Sequence, residues 1–171
     1  MRVRIWILFA MEVMASGCGS HGNVGGGSEL TSAQKQVVED GVRRLMLGVA
    51  HDVSTDGPVA WHKYFADSPA FFMAVDGQLA FANSEAAAAG TDNFAKTIQH
   101  IELHWGDQVR VDALTAEFAV VATPWVEVQT DLKGHAATTS GFFTAVAENR
   151  DGQWRFRDAH WSEPVVAAKA P

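Results

Sequence analysis

The stretch "WRFRDAHWS", residues 154–162, places Asp158, His160 and Ser162 at spacing two. On a β-strand that spacing projects all three side chains to one face. A carboxylate beside an imidazole can orient the ring, favour its protonated form and fit it for acid–base work near neutrality. Trp154 and Phe156 precede the trio in the same phase, so the strand reads as apolar at one end and polar at the other. Asp158 and His160 are therefore the candidate catalytic pair, and with Ser162 the candidate polar anchors for a small ligand. The competing reading is structural: a buried His–Asp pair that ties the sheet to whatever covers its end.

A second group, His100, Glu102 and His104, has the residue types that zinc takes. Ile101, Leu103 and Trp105 hold the alternate positions and should be the buried set. The histidines are then expected on the outer face, and no metal site or cofactor is assigned. His62, beside Lys63, and His135, after a glycine turn, read as surface residues. "GNVGGGS" follows no strand and reads as tether rather than phosphate loop, and no serine stands in a nucleophile-elbow pattern.

Ten Phe and six Trp supply material for either a bulky core or a lined cavity. Trp61, Tyr64, Phe72, Trp125 and Phe143 are the candidate pocket walls. Tyr64 is the sole tyrosine and so the only phenol available to donate to a ligand carbonyl. Pro124 is expected to disturb the phase of its strand and with it the facing of Trp125.

These residues need a scaffold. The chain has 171 residues, 47% hydrophobic and 19% charged, which suits one soluble domain. Its formal net charge is −7 and no basic run occurs, so nucleic acid is not an expected partner. Residues 1–18 read as a signal segment: basic "MRVR", apolar "IWILFAM", then "ASGC". This layout resembles a bacterial lipoprotein signal, in which Cys18 would be lipidated. Ala15 stands where Leu is usual, and Glu12 interrupts the apolar run. The alternative is a start at Met11 or Met14 and a cytoplasmic protein. Residues 19–29 form a Gly/Ser-rich tether, 30–164 the domain, and 165–171 a tail.

Within the domain, Thr31 and Gln34 form a capping-box pattern ahead of Val38, Val42, Leu45, Val49 and Val53 at helical spacing. Pro58 opens a second short helix with Trp61, Tyr64 and Phe65. Two short strands flank Asp76-Gly77. Asn83 and Ser84 can cap a third helix through about Gln99, with Gly90 as a point of bending. Four longer strands follow: "IELHWGDQVRVDAL" bulged at Gly106, "AEFAVVATPWVEVQTD", "HAATTSGFFTAVAENR" and "QWRFRDAHWS".

That order, with "AEFAVVAT", "GFFTAV" and "DGQWRFRDAHWS" in sequence, resembles the nuclear transport factor 2-like superfamily and within it the SnoaL-like bacterial branch. The resemblance implies an α+β cone: a strongly curved, mostly antiparallel sheet of about six strands wrapped around three helices. It also implies a homodimer. The superfamily includes ketosteroid isomerase, dehydratases, polyketide cyclases and epoxide hydrolases beside members that only bind or dimerise, so fold implies little about chemistry. Tyr64, Asp67, Asp76 and Asp158 supply the residue types of the isomerase but do not map onto its motif. The expectation is an envelope-anchored domain, held to the membrane through a lipid on Cys18, that binds a small apolar or aromatic ligand. The alternatives are a lyase, isomerase or hydrolase using the Asp–His pair, and a non-catalytic homodimerising module.

Overall fold

In the computed structural model, which describes residues 29–164, helix α1 (Ser32–Asp56) comes first. The expected signal segment with Cys18, the tether up to Ser28 and the tail lie outside those residues. The capping box is formed: the Thr31 side chain accepts from the Gln34 N–H, and Gln34 Oε1 accepts from the Thr31 N–H at 2.9 Å. Val38, Val42, Leu45, Met46, Val49 and Val53 make one buried stripe. Gly57 ends the helix at φ 80°, a conformation costly for a side chain with a Cβ. Pro58 then starts a 3-10 helix (Pro58–Tyr64) that buries Trp61.

Strands β1 (Phe72–Val75) and β2 (Gln78–Phe81) form a hairpin across Asp76 and Gly77, whose φ values of 48° and 79° suit a tight turn. Helix α2 (Ser84–Ala95) is capped by Asn83, which accepts from the Ala86 N–H at 2.8 Å. It ends at Ala95, short of the expected Gln99, because Ile98 and Gln99 already belong to β3. Gly90 marks a close approach within an unbroken helix: a Cβ there would lie 2.4 Å from the Phe81 ring.

The expected bulged strand is two strands, β3 (Ile98–Trp105) and β4 (Arg110–Ala113). Both pair with β5 (Phe118–Asp131), and the break between them faces Thr123 and Pro124. β6 (Ala136–Arg150) and β7 (Gln153–Ser162) complete the meander. The sheet order is β2-β1-β7-β6-β5-β3, with β4 also on β5, giving seven strands where about six were expected. Only β1 and β7 run parallel.

The inner face reads across neighbouring strands in rows. Met73, Ala159, Ala145 and Val121 form one row, and Val75, Trp161, Phe143 and Thr123 the next. Seven of these eight side chains belong to, or pack on, the core beneath α1, and Thr123 is fully buried with them. The outer rows run through Phe72, Asp158 and Val146, and through Ala74, His160 and Thr144. Phe72 and Phe142 stay exposed there. The curved sheet thus has one filled, concave side, and the α+β cone is the observed architecture.

Candidate functional site

The phase of β7 decides where its polar residues go. Ala147 pairs with Phe156, yet Val146 pairs with Asp158, so Arg157 is an extra residue in the ladder. A bulge of this kind turns every later side chain to the opposite face. Phe156 is fully buried, and beyond the bulge the inward positions pass to Ala159 and Trp161. Asp158 and His160 therefore lie on the outer face, correcting the expectation that they face the cone, whereas Ser162, at the end of the strand, still lines the cavity at the cone's mouth. Asp158 serves the bulge itself, accepting the Val146 N–H on Oδ1 at 3.2 Å. Burial raises its carboxyl above the usual range, against the pull of that N–H and of Arg157. His160 lies with it in a shallow outer depression that also exposes Phe72, and no Asp158–His160 ion pair forms. The Ser162 hydroxyl donates to the Phe142 carbonyl at 3.2 Å.

The cone opens instead into a cavity of about 290 Å³ between the sheet, the 3-10 helix and α2. Trp61 and Phe65 form one wall, Phe94 and Val75 another, and Trp125 and Trp161 the floor. Trp161 is the hub: its ring lies 4.6 Å from Phe143, 5.2 Å from Trp125, and 5.7 Å from both Trp61 and Trp105. Such tilted and edge-on contacts suit aromatic quadrupoles and hold the floor rigid. Trp105 is tied down, its Nε1–H donating to the Met46 carbonyl at 2.7 Å. Trp125 is not: its indole N–H is buried without an acceptor among the described residues. An unmet buried donor is costly.

Seven polar side chains meet this apolar wall: the hydroxyls of Thr91, Thr139 and Ser162, one amide and three carboxyls. Glu127 and Gln129 follow Trp125 in phase along β5, and Asp76 and Glu163 stand at the rim. Gln129 donates to the Glu127 carboxylate at 2.5 Å. Burial pushes the Glu127 carboxyl up, the Gln129 bond opposes this, and the charge of Glu163 adds to the rise. Asp76 accepts the Glu163 N–H at 2.8 Å, fastening the end of β7 to the hairpin turn.

Of the expected site residues, Trp61, Trp125 and Ser162 line the cavity. Phe143 is fully buried core behind Trp161, and Phe72 is 42% exposed on the outer face. Tyr64 turns toward α1, where its hydroxyl donates to Asp52 and its ring tip sits over Gly48. Burial, and then Asp52, hold the phenol above its ordinary range. Lys63 joins them at 2.5 Å from Asp52, holding that carboxyl low. His100, Glu102 and His104 are exposed on the outer face, as the buried Ile101 and Leu103 require. His62 holds α2 through Asp92 at 3.1 Å and Thr91 at 2.9 Å.

Glu127, Gln129, Asp76, Glu163 and Trp161 were not among the candidates from sequence. The signal for the first two was present: Ala119, Val121, Thr123, Trp125, Glu127 and Gln129 alternate without interruption. Pro124 leaves that phase intact because it faces outward opposite the gap between β3 and β4. A larger cleft of about 400 Å³ lies elsewhere, among Asp67, Glu148, Arg150 and Arg155. It is a charged groove whose Glu148 and Arg150 pair at 3.1 Å, and it lacks an apolar wall.

No protein-family model and no curated protein matches the sequence. Solved structures do match. A nuclear transport factor 2-like superfamily protein from Salmonella enterica serovar Typhimurium superposes with a TM-score of 0.66 at 15% identity, over 78% of this chain and 95% of that one. The fold is nuclear transport factor 2-like. A scytalone dehydratase-like protein from Novosphingobium aromaticivorans shares the fold with a TM-score of 0.68 at 13% identity, covering 81% of this chain and all of its own. A hexachlorocyclohexane dehydrochlorinase, LinA type 2, has a TM-score of 0.63 at 12% identity, over 82% and 98%. At such identities the nuclear transport factor 2-like cone is what is shared, and chemistry has to be argued from this chain's own residues.

Proposed function

We propose that the domain binds a small, largely apolar molecule in the cavity at the mouth of the cone. One observation carries the reading: an open aromatic cavity holds a partly buried carboxyl, Glu127, in its wall. Ligand sites are commonly apolar with a few converging polar groups, whereas a plain core would not retain such a group. Binding is favoured over catalysis because no imidazole lines the cavity among the described residues. Dehydratase and dehydrochlorinase chemistry belongs to the structural relatives. An elimination here would have to draw its base from the lining carboxylates Asp76, Glu127 and Glu163.

Anchoring at the envelope through Cys18 is part of the same reading, supported by the layout of residues 1–18. Incorporation of labelled palmitate, lost in Cys18→Ala, tests it. A second reading is supported by Phe72, Phe142 and Val126, all over 40% exposed on the outer sheet face. That face fits association of two copies, and light scattering of the purified domain tests this. For the ligand, native mass spectrometry of protein isolated from its own host is the direct experiment. A bound small molecule, lost in Trp125→Ala, is expected; a bare mass in every preparation counts against binding.

A further inference from the structure

We infer that the ligand of this cavity is an organic cation: an ammonium group on an aromatic or branched apolar body. The inference rests on the binding reading above and deepens it. Among the described residues, Asp76, Glu127 and Glu163 are the ionisable side chains that line the cavity, and no Lys, Arg or His does. Among the described residues none of these carboxylates is in an ion pair. Carboxylates crowded at an apolar wall without a counter-charge repel one another, which is how Glu163 adds to the rise at Glu127. A cation entering the cavity removes that penalty, while an anion increases it.

The walls agree with the charge. Trp161 stands edge-on to both Trp125 and Trp61, with centroids 5.2 and 5.7 Å away. An ammonium is attracted to the electron-rich faces of such rings, and more strongly when water is excluded. Charge and ring faces together select a class that a greasy pocket would not.

A matched pair of probes isolates the charge: phenacyltrimethylammonium and its carbon isostere 3,3-dimethyl-1-phenylbutan-1-one. Both have the same shape and ketone, and the ammonium is permanently charged. In calorimetric titration near pH 7.5 and about 20 mM salt, the cation should bind at least about tenfold tighter than the ketone. In Glu127→Gln the two should come within about twofold, with the ketone's affinity unchanged. Equal affinities for wild type would overturn the cation inference and leave the binding reading standing. Binding of neither probe at about 5 mM, a limit well above ordinary ligand affinities, would overturn both. A preference that survives intact in Glu127→Gln would remove Glu127 from the site.

Discussion

Replacing Glu127 by Gln keeps the side chain's shape and removes its charge, so the variant reads the electrostatic state of the cavity. The wild-type carboxyl lies in the wall with Gln129 as its hydrogen-bond partner and Glu163 as a like charge nearby. Its folded pKa is raised above the unfolded value, first by burial. A raised acid contributes stability that is fully present below the unfolded pKa and is lost as pH rises through the folded pKa. Near pH 7.5 the ionised carboxylate therefore weighs against folding, and near pH 3.5 the protonated acid does not. A partly buried carboxylate with one neutral partner costs about 1 kcal/mol relative to a neutral isostere. For a domain of this size that is about 3 °C in melting temperature. Differential scanning calorimetry should show Glu127→Gln melting higher near pH 7.5 and together with wild type near pH 3.5. A variant that melts lower than wild type near pH 7.5 would refute the reasoning, since it would mean that the carboxylate is well solvated or paired by a cation.

Three further substitutions separate the two faces of the sheet. Asp158→Ala should cost about 1 kcal/mol by leaving the Val146 N–H of the bulge without its acceptor, with cavity binding unchanged in titration. Tyr64→Phe should cost a similar amount, about 1 kcal/mol in urea unfolding, through the lost bond to Asp52, and again should spare the cavity. Gly141→Ala should be the most damaging. Its Cβ would lie 1.8 Å from the Ser162 carbonyl oxygen, a gap that must widen to at least 3.0 Å. Separating β6 from β7 there should cost about 3 kcal/mol, read as a lower urea midpoint.

Most of the scaffold was legible because local chemistry and periodicity agreed along the chain. Thr31 with Gln34, Gly57 before Pro58, and Asp76-Gly77 each left a distinct mark, and each does in the fold what its chemistry implies. The outward facing of His100, Glu102 and His104 followed directly from Ile101 and Leu103. The site was harder to read because it depends on phase, and phase depends on single residues. In β7 the apolar set moves from Trp154 and Phe156 to Ala159 and Trp161, an even-to-odd slip that is the mark of an inserted residue. Read without that slip, Asp158 and His160 pointed into the cone; with Arg157 bulged they point out. In β5 the error ran the other way. Pro124 suggested a broken alternation, but it stands opposite the gap between β3 and β4, where the flanking pairing is already interrupted. Glu127 and Gln129 stayed in phase with Trp125. Asp76 and Glu163 meet only through tertiary structure, 87 residues apart in sequence, and no local pattern announces them.

The proposed binding site is the inner face, at Trp125 and Glu127, and not the Asp158–His160 depression outside. One spectrum addresses both faces at once: the indole and imidazole side-chain resonances of the isotope-labelled domain during titration with phenacyltrimethylammonium. The Nε1–H signal of Trp125 should move most, with Trp61 following. Trp105, already bonded to Met46, and His160 should stay in place. A titration that shifts His160 and leaves Trp125 untouched would contradict the account and return the site to the outer face.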